Sequence, residues 1–181
     1  MDYFTKPRNS SLKIGTIYFW TATINNWQTL LSKDHFKKVI IDSLDHLSRR
    51  NLIDVYGFVI MPNHIHLIWK LNEMNGKELP SASLLKFTAH QFKKMLEPDE
   101  LPKYYVDAPN KTFEFWQRDS LGVELYTREV AYQKLEYIHQ NPLGKKWKLA
   151  TDPSDYKFSS ASYYEHESTS FSFLKHLGDQ F

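Results

Sequence analysis

Gly57-Phe58-Val59-Ile60-Met61-Pro62-Asn63-His64-Ile65-His66-Leu67-Ile68-Trp69 is the stretch whose reading decides the fold. Its β-branched and aromatic residues predict two strands, over 53–61 and 64–71, and Pro62-Asn63 is the tight turn that returns the second antiparallel to the first. The period of two along the second strand puts His64 and His66 on one face and Ile65 on the other, toward the core. At a rise of roughly 3.3 Å per residue the two Cα atoms lie about 7 Å apart, so both rings can reach one ion at about 2.1 Å each. Two imidazoles neither fix a coordination geometry nor usually hold a metal, so a third donor is expected from elsewhere in the chain.

Outward from this hairpin, residues 14–24 are dense in β-formers and predict a first strand, with Ile17 and Phe19 on one face and Tyr18 and Trp20 on the other. Ser32 is a candidate cap for an amphipathic helix in which Phe36, Val39, Ile40, Leu44 and Leu47 recur at three-to-four spacing. After Pro80, Ser81 or Ser83 can cap a second helix, with Leu85, Ala89, Phe92 and Leu96 as its buried stripe and Lys86, His90, Lys93 and Lys94 on its other faces. Pro98, Pro102 and Pro109 mark 97–111 as an irregular connection. Residues 113–125 read as a strand region interrupted at Asp119-Ser120, and Thr127 caps a last helix that Pro142 and Gly144 stop. The order strand, helix, strand, strand, helix, strand, helix predicts an α+β fold. It is a ferredoxin-like or RRM-like antiparallel sheet (split βαβ) with helices on one face and an added C-terminal helix bearing tyrosine. Residues 1–13 are expected to be a flexible lead-in, 14–145 the domain proper, and 146–181 a tail packing on it or extending it.

Composition narrows the chemistry. A chain of 181 residues that is 41% apolar and 15% aromatic can build one ordinary core. The absence of cysteine excludes disulfides, thiolate zinc sites and cysteine nucleophiles, and fits a reducing compartment. No apolar run approaches the roughly 20 residues that cross a bilayer, and the N-terminus lacks a signal-like apolar stretch, so the expectation is a cytoplasmic protein without membrane contact. A net charge of +2 with pI near 8.6 permits nucleic acid as a partner without arguing for it.

The last helix carries Ala131, Leu135 and Ile138 as a core stripe and, beside it, Gln133, Tyr137 and Asn141 at steps of four. If that second stripe lies over the histidine strand, Asn141 can offer an amide oxygen as third ligand while Tyr137 presents its phenol beside the metal. A free phenol has a pKa near 10, so about one part in a thousand is ionised near neutrality, a handicap of roughly 4 kcal/mol. A divalent cation offsets this by favouring phenolate. Imidazoles with an amide oxygen suit Mg²⁺ or Mn²⁺, solvent and substrate filling the rest of the sphere.

Pro62-Asn63-His64-Ile65-His66, followed by Tyr137-Ile138-His139-Gln140-Asn141-Pro142, resembles the HUH single-tyrosine transposases, and most of all the REP-associated tyrosine transposases. The resemblance runs over about residues 14–160 and takes in the cationic helix near Lys86, Phe115-Trp116-Gln117-Arg118, and Asp155-Tyr156-Lys157-Phe158-Ser159-Ser160. It implies cleavage and rejoining of single-stranded DNA, often next to a hairpin, through a covalent 5′-phosphotyrosine and a divalent cation. By position, His64 and His66 match the metal ligands and Tyr137 the nucleophile. Insertion-sequence relatives often carry glutamine as third ligand, where this chain has the shorter Asn141. Those relatives act as dimers, whereas the REP-associated ones look able to act as monomers, so both a homodimer and a monomer are compatible with the resemblance.

Lys86, Lys93, Lys94, Arg118, Lys145, Lys146 and Lys148 would track phosphates if they converge. Tyr18, Trp20 and Trp116 could stack unpaired bases, which gives the alternative of a non-catalytic single-strand-binding module. A hydrolase using metal-bound water is the third reading. His139, about 200° around the helix from Tyr137, reads as a surface or packing residue.

Overall fold

A computed structural model describes residues 11–167 and 170–181, so most of the expected lead-in, 1–10, lies outside the described residues. In chain order the elements are β1 (Ile17–Thr23), α1 (Asp34–Arg49), β2 (Ile53–Ile60), β3 (His64–Leu71), α2 (Pro80–Met95), β4 (Tyr105–Ala108), β5 (Lys111–Phe113), β6 (Leu121–Glu124), α3 (Arg128–Gln140) and α4 (Ala161–His166). β2, β3, β1 and β6 form a fully antiparallel sheet in that order. β3 lies between β1 and β2, so the β1-α1-β2 crossover is split, as the ferredoxin-like expectation requires.

The Pro62-Asn63 turn forms as read, the amide of Met61 donating to the carbonyl of His64 at 2.8 Å. Alternation along the strands then makes two cores. Tyr18, Trp20 and Ala22 of β1 and Ile65, Leu67 and Trp69 of β3 pack under α1 and α2. Phe19 and Ile68 point to the opposite face, where they meet Ala131, Leu135 and Ile138 of α3. Each such fully buried aliphatic side chain contributes about 1.5–3 kcal/mol.

Several local expectations give way. Lys33, not Ser32, occupies the N-cap of α1, with no side-chain cap bond. Leu79 stands at the N-cap of α2 because Pro80, with its fixed φ and no amide hydrogen, begins the helix; Ser81 and Ser83 are buried inside it. The expected stripe holds, with Phe92 and Leu96 in the core and Leu85 and Ala89 packed against it, and it widens to take in the buried Leu84 and Thr88. The supposedly irregular 97–111 run contains β4, which pairs with β5 as a separate hairpin. Tyr18 is 5%, Trp20 0% and Trp116 6% exposed, so none offers a face to a base: α1 and α2 cover the first two, and the Trp116 indole donates to Thr88 Oγ1 at 2.9 Å.

Chain beyond residue 146 is stitched to β2. The amide of Ile60 donates to the carbonyl of Phe158 and that of Ser160 to Phe58, both at 2.9 Å, while the Tyr156 hydroxyl donates to the Ile60 carbonyl at 2.7 Å. Gly57, beside a register shift in the β2–β3 ladder, lets α3 approach closely: a Cβ there would stand 2.6 Å from Leu135 Cδ1 and 3.2 Å from Ile138 Cδ1.

Candidate active site

β3 delivers both imidazoles to the α3 side of the sheet, with ring centroids 4.8 Å apart. Each ring is held by its Nδ1. His64 Nδ1 lies 2.7 Å from Oδ1 of the buried Asn63, an oxygen that only accepts, so Nδ1 carries the hydrogen and Nε2 presents its lone pair. His66 Nδ1 lies 2.7 Å from Thr21 Oγ1, the side chain directly across from it in the β1–β3 register. His66 is 6% exposed and stacks on Phe19 with centroids 5.1 Å apart. Burial, more than any neighbouring charge, pulls the pKa of His64 down to about 4 and that of His66 to about 3, so both rings are neutral near pH 7, the form in which imidazole coordinates a metal.

α3 forms because Thr127 accepts from the Val130 amide at 3.3 Å and because Ala131, Leu135 and Ile138 seal its inner stripe. Its register leaves Tyr137 at the margin of the contact. The phenol ring meets His66 edge-on with centroids 5.6 Å apart and Phe19 at 6.0 Å, and the residue is still 51% exposed. Asn141, four residues on, donates from Nδ2 to the Tyr137 carbonyl at 3.0 Å, and its side chain is near enough to His64 to act on that ring's titration. His64, His66, Tyr137 and Asn141 are therefore brought together from two segments about seventy residues apart. His139 points away, 5% exposed, its Nε2 2.8 Å from Ser160 Oγ: a packing residue.

Among the described residues no group of three His, Cys, Asp or Glu side chains could hold a metal. A cation here would rest on the two Nε2 atoms and on oxygen from Asn141, solvent or substrate. Two neutral nitrogens with otherwise oxygen donors fit Mg²⁺ or Mn²⁺ better than zinc, which draws more nitrogen and sulfur.

The expected cationic surface is divided. Lys146 is near enough to His64 to act on its titration, with Lys145 beside it in sequence. Lys86 and Lys93 line a separate cleft on α2, Lys94 is exposed on the last turn of that helix, and Arg118 is paired with Glu114 at 3.2 Å. A cation missed from sequence is Lys134, whose Nζ sits 4.9 Å over the Phe19 ring and 5.8 Å from the Tyr137 centroid. Its position three residues before Tyr137, on the same helix face, was the available signal. Thr21 and Asn63 were also missed; the strand register that aims Thr21 at His66 cannot be read before the pairing is known.

No helix among the described residues is long and apolar enough to cross a membrane. No protein-family model matches the chain, and no curated protein matches it by sequence. Among solved structures it is similar to a REP-associated tyrosine transposase bound to a REP hairpin, at 18% identity and a TM-score of 0.59, over 97% of this chain and 89% of that one. At that identity the likeness is one of fold, here an α+β architecture with a four-stranded antiparallel sheet.

Proposed function

We propose that this chain cleaves and rejoins single-stranded DNA beside a hairpin, with Tyr137 as nucleophile and His64, His66 and Asn141 as the seat of a Mg²⁺ or Mn²⁺ ion. The observation that carries the reading is the half-exposed phenol of Tyr137 standing against the rim of two buried, neutral imidazoles whose Nδ1 atoms are already engaged. When bound, the cation supplies Lewis acidity at a phosphate oxygen.

The chain's own residues account for the rest. Tyr137 Oη attacks the scissile phosphorus, its proton passing to solvent; the new P–Oη bond forms as the P–O3′ bond breaks, and the 3′ oxygen takes a proton from solvent and leaves as a hydroxyl. A 5′-phosphotyrosine results, and attack by a 3′-hydroxyl on the same phosphorus reverses the step without a nucleotide energy source. Lys134, fixed over two rings, supplies positive charge where the phosphorane's non-bridging oxygens gain negative charge. Asn63 and Thr21 hold the imidazoles in one orientation, the role usual for groups behind a metal's ligands. All of these groups belong to one chain, so a monomer suffices.

Incubation with a 3′-labelled DNA hairpin carrying unpaired flanks, with Mn²⁺, should give a labelled protein band on a denaturing gel. EDTA and Tyr137→Phe should each remove it. An adduct of equal yield with Tyr137→Phe would overturn the reading.

A further inference from the structure

A cleft of about 670 Å³ opens between α2 and the β4–β5 hairpin, away from the imidazole face of the sheet. Lys86, His90 and Lys93 line one side of it, Asn110, Lys111 and Phe113 the other. Lys93 Nζ lies 4.9 Å over the Phe113 ring centroid, which puts a cation and a half-buried aromatic face at one point. Two carboxylates reach the rim: Glu114, paired with Lys111 and Arg118, and Glu78, 3.7 Å from Lys86. Lys93 has no carboxylate within ion-pair distance among the described residues, so the three lysines of the cleft outnumber the two acids.

We infer that this cleft is a second nucleic-acid site, which takes the unpaired strand flanking a hairpin, phosphates on Lys86, Lys93 and Lys111 and a base against Phe113. The inference rests on the reading of the chain as a DNA-handling protein and extends it to a surface remote from Tyr137. A volume within the roughly 300–1,000 Å³ range of small-ligand sites admits a short unpaired run and is too small for a duplex. A basic groove with an aromatic platform is the chemistry that holds single strands without reading sequence. Backbone pairings tie the cleft wall to the end of the strand that carries His64. Trp116, on its wall, bridges to Ile24; the Gln117 amide donates to the Thr23 carbonyl at 2.8 Å; and Thr23 is the register partner of His64.

The test is fluorescence anisotropy with the full chain, using a labelled DNA hairpin that is either blunt or extended by a short unpaired mixed-sequence flank. Lys86→Glu/Lys93→Glu should weaken binding of the extended probe at least about tenfold and lower its log–log salt slope by about 1.4, two phosphate contacts at about 0.7 each. Phe113→Ser should weaken it without changing that slope. Binding of the blunt probe should not change. Equal losses on both probes, or no loss on the extended one, would overturn the inference. Tyr137→Phe should bind both probes as the unaltered chain does, and failure of the unaltered chain itself to form a covalent adduct would refute the nuclease reading and leave the cleft standing.

Discussion

Gly57→Ala is the substitution that most directly probes how the tyrosine helix is held. The new Cβ would stand 2.6 Å from Leu135 Cδ1 and 3.2 Å from Ile138 Cδ1, against the about 3.5–4.0 Å of an unstrained carbon contact. Leu135 must leave its packed position or α3 must lift by about 1 Å. Overpacking of this kind costs about 1–3 kcal/mol. Leu135→Ala alone should cost about 2–5 kcal/mol through the cavity it leaves. In the double variant the alanine methyl occupies space the leucine vacated, so the combined cost should fall short of the sum by about 1–2 kcal/mol. Urea denaturation of the four proteins measures this coupling. Under the proposed chemistry, a lift of α3 would also slow adduct formation in Gly57→Ala by up to about a hundredfold, since about 1 Å of misplacement carries such a penalty. Stability costs that add to within about 0.5 kcal/mol would refute the close approach of α3 to β2.

Two further outcomes are expected. His139 is buried with a pKa pulled down to about 4, so between about pH 6.5 and 4 the unfolded chain binds a proton that the folded chain refuses. Its stabilising share is complete above the unfolded value and disappears as pH falls toward the folded one, a loss on the order of 3 kcal/mol, with His64 and His66 acting in the same direction. Urea midpoints should therefore fall from pH 7 to pH 5, and less steeply in His139→Gln; parallel profiles would contradict the assignment. Lys134→Met should slow adduct formation by about ten- to a hundredfold, the scale of losing one charge-stabilising contact, while hairpin affinity measured by anisotropy changes little. Equal losses of rate and affinity would make Lys134 a binding residue only.

What the sequence disclosed, and what it hid, follows from the range of the interactions. The 53–71 hairpin was legible because its turn, its alternation and both histidines lie within one local pattern. The register of Tyr137 and Asn141 was legible because helical steps of four are local too. The start of α2 was misread because Pro80 sets the backbone without any side-chain bond, leaving serines inside the helix that would otherwise pass as caps. The β4–β5 hairpin was hidden in a proline-rich run because strands this short carry no periodicity. Beside the Tyr156 hydroxyl, the tail's part in holding β2 rests on the backbone groups of Phe158 and Ser160, for which residue type gives no signal. Tyr18 and Trp20 looked like base-stacking platforms until two helices closed over that face.

The central claim is that one phenol of several attacks DNA. Tyr126 and Tyr132 are chemically equivalent neighbours, and only geometry separates them from Tyr137, whose ring stands 5.6 Å from that of His66. The deciding measurement is peptide mapping by mass spectrometry after the chain has reacted with a hairpin substrate in Mn²⁺ and the DNA has been digested to a residual nucleotide. The residual mass is expected on Tyr137 alone; a nucleotide on Tyr126 or Tyr132, or on no tyrosine while the DNA is nonetheless cut, would contradict the account.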